Sequence, residues 1–226
     1  MISVIIPVYH EAARINHLLA SLPPRRDMEI LVVDGAPERD TLEALEFPHV
    51  HRVASSPGRG TQLNQGAARA TGDIFLFLHA DTRLPPRALD LIQRALRDPR
   101  ISGGAFGLRY NSSRPGSSLI ACLANIRTAW TRVPYGDQAI FMRAKVFRSL
   151  GGFADIPIME DLELMTRLRR SGHGIQILPS SVLTSPRRHD LEGLARCTAR
   201  NLALRLLYHL GLSPHRLARI YRPHRD

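Results

Sequence analysis

The sequence predicts an α/β fold with a mostly parallel central sheet and a C-terminal helical extension. Short apolar runs in the first 80 residues are typical of strands that are covered on both faces. Segments with helical periodicity separate these runs, so strands and helices alternate. The chain has 226 residues and is 44% hydrophobic, which is enough to bury the core of one domain with an extension.

Four strands are expected before residue 80. The first, Ile2 to Ile6, precedes a helix that ends at Pro23 and Pro24. The others are Ile30 to Val33, the segment HVHRVAS and Ile74 to Leu78, and an Ala-rich helix, Thr61 to Ala70, lies before the last. Parallel strands with right-handed crossovers place a ligand site at their carboxyl ends.

The second half mixes strands and helices without this regular alternation. Its expected helices are the segment around Leu89 to Leu96, Leu119 to Trp130, Asp161 to Arg170 and Leu191 to Leu210. Its expected strands are Gly103 to Tyr110, AIFMR and GIQILP. We expect one domain over residues 1–185 and a basic helical extension over 186–226 that packs on it.

Charge is concentrated near the end of the chain. The formal net charge is +11, and residues 186–226 hold nine Arg against three acidic residues, a net of +6. Such a segment can contact nucleic acid, contact an anionic membrane or keep the chain in solution. Nucleic-acid-binding motifs are absent from the sequence, so we expect no nucleic-acid partner. The helix 191–210 either packs on the domain or lies on a membrane surface.

The cysteines and the apolar runs indicate a compartment. Cys122 and Cys197 lie in apolar, helical segments, with no second Cys or His at the spacing of a metal site. They are expected to be reduced core residues of a cytosolic protein. The first residues lack the basic leader of a signal peptide, and no apolar run reaches the length of about 18 residues that a membrane-spanning helix needs. We therefore expect a cytoplasmic protein, with peripheral contact at the inner face of the membrane as an alternative.

Polar groups follow several predicted strands. Tyr9, Asp34 and Asp81 each lie just past a strand end, so they should converge on one edge of the sheet. The Asp81 carboxylate is a hard ligand suited to Mg²⁺ or Mn²⁺, although an Asp can also cap a turn here. Gly58 and Gly60 flank Arg59 before a helix, an arrangement that can cradle a diphosphate.

Two carboxylates open a later helix. Asp161 shares a stripe with Leu164 and Leu168, whereas Glu160 shares one with charged residues. We therefore expect Asp161 to point inward as a general base and Glu160 to lie on the wet face behind it. A carboxylate at this position also complements the helix dipole, which is the structural alternative.

Several motifs occur in an order and spacing that resemble those of a known family. VIIPVYHEA, ILVVDG, NQGAARATGDIFLFLHADT, GGF and MEDLELMTRLRRSG together resemble a GT-A-fold, Rossmann-like glycosyltransferase of family 2. The resemblance covers residues 2 to about 185. It is strongest to short single-domain members associated with arsenosugar biosynthesis or with radical-SAM and selenoprotein-type clusters.

The resemblance implies roles for individual residues. Pro7, Tyr9 and Glu11 would line the nucleotide pocket, and Asp34 would hydrogen-bond the base. Asp81 would hold the divalent cation against the diphosphate, and Asp161 would deprotonate the acceptor in an inverting displacement. Asp137 in PYGDQAIF is expected on the acceptor side. The donor would be a nucleoside-diphosphate sugar and the acceptor a small molecule, lipid or glycan.

The chain departs from the family pattern at the metal motif and nearby. The family's metal motif is DxD, and Asp81 matches its last carboxylate, whereas His79 stands in place of the first. An imidazole at that position favours Mn²⁺ over Mg²⁺, or leaves the cation without a ligand from this residue. His10 replaces an Asn, Asp40 is out of step by about one residue, and His189 comes late for a metal-binding His. One alternative is therefore a catalytically silent domain acting as a membrane-surface or scaffold module. A nucleotidyltransferase is disfavoured because no Gly-rich basic loop follows the first strand.

Overall fold

The central element is a mixed sheet of eight strands in a computed structural model that describes residues 1–112 and 114–221. The strands are β1 Ile2–Val8, β2 Met28–Asp34, β3 His51–Ala54, β4 Ile74–Phe77, β5 Thr82–Arg83, β6 Ile101–Tyr110, β7 Phe141–Arg143 and β8 Gly174–Thr184. The helices are α1 Ala12–Ala20, α2 Asp40–Glu43, α3 Arg59–Arg69, α4 Ala88–Ala95, α5 Pro115–Thr131, α6 Ala144–Ser149, α7 Glu160–Arg170, α8 Arg187–Glu192, α9 Leu194–His209 and α10 Pro214–Ile220.

The strand order is β3-β2-β1-β4-β7-β6-β8-β5. The first four strands in this order pair in parallel, and β6 pairs in parallel with β8. β7 runs antiparallel to β4 and β6, and β5 runs antiparallel to β8. The prediction of an α/β fold with a mostly parallel sheet is confirmed, and the carboxyl ends of β1, β2 and β4 lie side by side.

Both faces of the sheet are buried, as the continuous apolar runs predicted. Alternate residues of β1 enter different cores: Ile6 packs with α1 and α4, whereas Ile5 packs with α3 and α7. A strand with both faces covered has no polar positions to alternate with apolar ones. The helices thus fix the sheet from two sides and leave its carboxyl edge for function.

Gly104 is required where β6 passes between β7 and β8. A Cβ there would overlap the carbonyl oxygen of Gln176 and would lie 2.6 Å from Cζ of Phe141. Because a backbone oxygen of a paired strand cannot move aside, Gly104→Ala should lower the free energy of unfolding by about 3 kcal/mol. Denaturant titration should show only about 1 kcal/mol for Gly172→Ala, where the added carbon meets open space and only backbone strain is introduced. Equal losses would contradict the packing argument.

Several elements differ from the sequence prediction. The expected helix 191–210 is two helices, because Gly193 with φ +85° separates α8 from α9. β8 continues to Thr184, past the predicted end at Pro179, because the pairing with β6 shifts register there and leaves Pro179 in an irregularity. β5, α2, α6 and α10 were not predicted.

The C-terminal helices contact the rest of the chain. Cys197, Leu204 and Leu217 are buried, and Arg114 forms an ion pair of 2.9 Å with Asp190. Cys197 is thus a core residue as predicted, but the prediction for Cys122 is wrong, because this side chain is exposed on α5. Residues 222–226 of the predicted extension lie outside the described residues. No helix within the described part of the chain is both long and apolar enough to cross a membrane.

Candidate active site

The carboxyl ends of β1 and β2 are joined by a side chain from α3. Gln62 donates hydrogen bonds from Nε2 to the carbonyl oxygens of Val8 (2.7 Å) and Val33 (2.8 Å). The side chain is buried, although it is polar and lies on the face of α3 that packs on the sheet. Sequence reasoning missed Gln62; a polar residue on the apolar stripe of a helix is the signal that could have found it.

Asp34 ends β2 and is completely buried. Its Oδ1 accepts a hydrogen bond from the Ala36 amide at 2.8 Å, whereas Oδ2 has no hydrogen-bond partner among the described residues. A buried carboxylate oxygen without a partner is costly, because it has lost its hydration. It is therefore available to accept a hydrogen bond from a ligand.

The loop after β1 holds Tyr9 and Glu11, while Pro7 lies within the strand. The Tyr9 ring is half-exposed and lies 4.6 Å from the His10 ring, and the Glu11 amide donates to Thr41 Oγ1. His10 Nδ1 lies 3.2 Å from Asp40 Oδ2. Two of the departures from the family pattern, His10 and Asp40, thus contact each other.

The prediction that Glu160 lies on the wet face of α7 is wrong. The side chain is buried, and Oε1 lies 3.2 Å from Arg59 Nη1 at the start of α3. Periodicity fails in this first turn because the preceding loop and α3 cover it; a Cβ on Gly60 would lie 2.9 Å from the carbonyl oxygen of Ala154. Burial raises the pKa of Glu160, and the Arg59 charge opposes that rise.

Asp161 is held by two backbone amides at the start of α7. Oδ2 accepts from the Gly136 amide and Oδ1 from the Leu162 amide, both at 2.6 Å. A Cβ on Gly136 would lie 2.8 Å from His79 Nε2 and 3.3 Å from Asp161 Oδ2. The end of β4, the 3₁₀ turn Gly136–Gln138 and the start of α7 therefore meet at one point.

Asp81 lies in the turn between β4 and β5. Its carboxylate is exposed, with Oδ1 accepting from Thr82 Oγ1 at 3.2 Å, and its carbonyl oxygen accepts from the Ser185 amide at 3.1 Å. The short pairing of β5 with β8 thus fixes the turn that carries this side chain. His189 is buried and its ring lies 4.8 Å from the Tyr110 ring.

Asp137 places a further carboxylate in this region. Within the described part of the chain its Oδ1 is buried without a hydrogen-bond partner. Burial, reinforced by the charge of Asp161, raises the pKa of Asp137 to about 6. The pKa of the Arg59 guanidinium is raised, chiefly by the negative charge of Glu160 in contact with it and less strongly by the charges of Asp161, Asp137 and Asp81. The charges of Arg59, Glu160, Asp161, Asp137 and Asp81 thus act on one another at the carboxyl edge of the sheet.

Residues 3–146 match the sequence profile described as Glycosyl transferase family 2. The chain belongs to glycosyl transferase family 2. The match covers well over half of the chain and ends before α7, so it does not include Asp161. The position of Asp161 follows from the structure and from the sequence motif around it.

Two curated relatives illustrate how far the similarity within family 2 extends. The probable glycosyltransferase YdaM of Bacillus subtilis (strain 168) is 24% identical over 208 residues, which cover 80% of this chain and 49% of that protein. The dolichol-phosphate mannosyltransferase of Pyrococcus furiosus is 30% identical over 118 residues, covering 48% of this chain and 33% of that protein. This chain therefore spans half or less of their length.

Solved structures show the same GT-A fold. The mannosyltransferase PcManGT from Pyrobaculum calidifontis, in complex with GDP-Man and Mn²⁺, gives a TM-score of 0.62 at 24% identity, covering 81% of this chain and 56% of that one. S. aureus TarS in complex with UDP-GlcNAc gives 0.64 at 18% identity, covering 81% and 58%. The fold expected from the resemblance is confirmed.

Family 2 membership raises the question of a divalent cation. Among the described residues no group of three or more His, Cys, Asp or Glu side chains could hold a metal. Mg²⁺ and Mn²⁺ at nucleotide sites are often held by one or two carboxylates and completed by phosphates and water. The exposed Asp81 carboxylate fits that mode, whereas His79 directs Nε2 against Gly136.

Sequence reasoning also missed a polar cluster beside the 3₁₀ turn that carries Asp137 in this family 2 chain. The Arg127 guanidinium lies 3.5 Å from the centroid of the Tyr135 ring, and Arg205 donates to Tyr135 Oη at 2.9 Å. Gln138 accepts from Thr128 and donates to the carbonyl oxygen of Phe106. These contacts join α5 and α9 to the turn that holds Asp161, and no spacing in the sequence signals them.

Proposed function

We propose that the chain transfers a glycosyl group from a nucleoside-diphosphate sugar to an acceptor hydroxyl, with inversion at the anomeric carbon. The observation that carries this proposal is the geometry of Asp161, whose two oxygens are each held by a backbone amide at the ligand edge of the sheet. A carboxylate fixed in this way has a defined direction, and each oxygen keeps a second lone pair for a proton.

The donor site is assigned to the ends of β1, β2 and α3. Asp34 Oδ2 accepts an N–H of the nucleobase, and Pro7, Tyr9 and Glu11 line the nucleoside pocket. Arg59 and the amides at the start of α3 hold the diphosphate. The complexes of PcManGT with GDP-Man and of TarS with UDP-GlcNAc support a nucleotide-sugar donor for this fold.

Asp81 is assigned to the cation. A bound Mn²⁺ or Mg²⁺ supplies neutralisation of the charge that develops on the leaving diphosphate. The exposed carboxylate of Asp81 is available for this contact, and its turn is fixed by β5 and β8. His79, an imidazole at the other position of the motif, favours Mn²⁺ if it contacts the ion.

The chemical step uses Asp161 as the base. As the acceptor oxygen forms a bond to the anomeric carbon, the bond from that carbon to the diphosphate oxygen breaks, and Asp161 takes the acceptor proton. Asp137 contacts the acceptor from the 3₁₀ turn. Glu160 keeps Arg59 in place through their ion pair. The acceptor is a small molecule, a lipid or a glycan.

The transferase domain runs over residues 1–185, and the burial of Cys197 and Leu204 supports an extension over residues 186–226 whose described part packs on that domain. The free, exposed Cys122 supports a reducing, cytoplasmic location. The quoted motifs favour the short members associated with arsenosugar biosynthesis or radical-SAM clusters.

Nucleotide binding tests the proposal directly. Thermal shifts with UDP-, GDP- and dTDP-sugars, with and without Mn²⁺, should identify one donor, since a ligand at about 100 times its Kd adds about 2.7 kcal/mol of stability. Asp34→Asn should weaken binding of that donor about 10- to 100-fold. The Ala36 amide keeps the Asn oxygen in the place of Oδ1, and the NH₂ group that then replaces Oδ2 cannot accept a hydrogen bond. Asp73→Asn, which changes an exposed carboxylate beyond the other end of β4, is the control. Unchanged affinity in Asp34→Asn would contradict the assignment.

A second candidate is a catalytically silent GT-A domain that serves as a scaffold. His79 at a carboxylate position favours it, because it leaves Asp81 as the carboxylate of the metal motif. The same panel separates the two functions. If no nucleotide sugar shifts the melting temperature with or without Mn²⁺, the silent domain is supported and the transferase proposal is wrong.

A further inference from the structure

Helix α5 exposes an apolar stripe while its opposite face is fixed to the domain. Leu119, Leu123, Ile126 and Trp130 recur at intervals of four, three and four residues, and all are more than half exposed. On the other face, Asn125 exchanges hydrogen bonds with the backbone of Leu108 at 2.7 and 3.0 Å. The stripe is thus an outward surface of a helix that is already packed.

The C-terminal helices expose further apolar side chains. Leu202 and Leu206 are exposed on α9, Leu210 follows at its end and Ile220 ends α10. Of the eleven large hydrophobic side chains that are exposed among the described residues, nine lie on α5 or between residues 187 and 220. Since α9 contacts α5 at Leu194 and Gly116, exposed apolar groups are concentrated on neighbouring helices.

The charge of these helices has one sign. α5, α9 and α10 contain no Asp or Glu, whereas they contain six Arg: Arg127, Arg196, Arg200, Arg205, Arg216 and Arg219. Arg196, Arg216 and Arg219 are exposed. Exposed apolar groups and exposed arginines on the same set of helices match the interface of a bilayer that contains anionic lipids.

We propose that α5, α9 and α10 form a docking face for the surface of an anionic lipid bilayer, with Trp130 and the leucines entering the headgroup region. Charge decides between this partner and a second copy of the chain. Two chains of formal charge +11 would bring their arginine-bearing faces together, and like charges oppose that contact. An anionic bilayer attracts the same arginines and accepts the same apolar groups. The inference does not depend on donor binding or turnover.

Trp130 provides a direct readout, because it is the only tryptophan of the chain and its side chain is 86% exposed. Vesicles of phosphatidylcholine with phosphatidylglycerol should shift its fluorescence to shorter wavelength and should sediment the protein. Vesicles of phosphatidylcholine alone should do so at least about tenfold more weakly. Raised salt should release the protein, because it screens the arginines.

Matched variants test the two parts of the docking face. Leu119→Ser with Leu123→Ser should weaken vesicle binding about tenfold or more, and Arg196→Glu with Arg219→Glu should do the same. Arg26→Glu with Arg94→Glu makes an equal charge change at exposed positions on other elements and should leave binding unchanged. Circular dichroism and melting temperature verify that each variant folds, and the altered side chains are exposed.

Three results would overturn the proposal. These are no binding to the anionic vesicles, equal loss in the control pair, or binding unaffected by the leucine and arginine variants. Light scattering on the vesicle-free protein adds a fourth: if a stable dimer forms and Leu119→Ser with Leu123→Ser dissociates it, a second copy covers the face. Retained donor binding in every variant separates failure of this proposal from failure of the proposed function.

Discussion

Asp161→Asn is expected to lower turnover about 10²- to 10⁴-fold while donor binding stays unchanged, because the amide cannot take the acceptor proton. Asn is similar in size to Asp, and its one oxygen can still accept the 2.6 Å hydrogen bond from the Gly136 amide, whereas the hydrogen bond from the Leu162 amide to Oδ1 is lost. The melting temperature of the ligand-free variant measures that structural cost separately from the chemical one. Initial rates of transfer at saturating donor and acceptor give the effect on turnover. Thermal shift with the donor alone gives the effect on binding.

Asp137 is the competing base. Its carboxyl group is in the same cluster and burial raises its pKa to about 6, a value suited to proton transfer near neutral pH. Asp137→Asn should lower turnover less than Asp161→Asn does. If Asp137→Asn causes the larger loss, and the wild-type rate rises with pH through about 6, the base is Asp137 and our assignment is wrong.

Asp81→Ala is expected to abolish the stabilisation that Mn²⁺ adds to the donor complex and to lower turnover about 10²- to 10³-fold. The reason is that the variant removes the carboxylate assigned to the cation, and the charge of the leaving diphosphate is then no longer neutralised. Titration of Mn²⁺ against a fixed donor concentration, followed by melting temperature and by rate, gives both effects.

The outcome of that titration also depends on the metal-free baseline. Without Mn²⁺, Asp81→Ala should bind the donor at least as well as the wild-type chain, since the variant removes a negative charge beside the diphosphate. It keeps the hydrogen bond from the Ser185 amide to the carbonyl oxygen of residue 81, although the one from Thr82 to the carboxylate is lost. Asp73→Asn should respond to Mn²⁺ as the wild type does. If Asp81→Ala still responds fully to Mn²⁺, the cation is held by other residues and the assignment of Asp81 is wrong.

The first half of the fold could be predicted from sequence because its signals are local. A strand covered on both faces is a short apolar run, and parallel strands bring the residues that follow them to one edge. These two rules are sufficient to predict that Tyr9, Asp34 and Asp81 lie at the carboxyl edge. The two-residue strand β5 is too short to leave such a signal.

The remaining features depend on tertiary contacts that no periodicity encodes. The burial of Glu160 is set by Arg59 and the loop before α7, about 100 residues apart in the chain. The position of Asp161 is set by the Gly136 amide, and a backbone donor has no signature in the side-chain sequence. The stripe of α5 was invisible for another reason: an exposed apolar helix face and a buried one have the same spacing.

Tyr135 connects two parts of the molecule that the chain reaches by different routes. Its ring contacts Arg127 of α5, its hydroxyl contacts Arg205 of α9, and the next residue supplies the amide that orients Asp161. Coupling between two binding sites is reciprocal. If a partner bound to α5 and α9 strengthens the hydrogen bond from Gly136 to Asp161, a ligand that needs Asp161 in this orientation must strengthen binding of the partner by the same factor. Any cooperativity that passes through Tyr135 can therefore be measured in two ways, as the effect of the partner on binding of the ligand or as the effect of the ligand on binding of the partner.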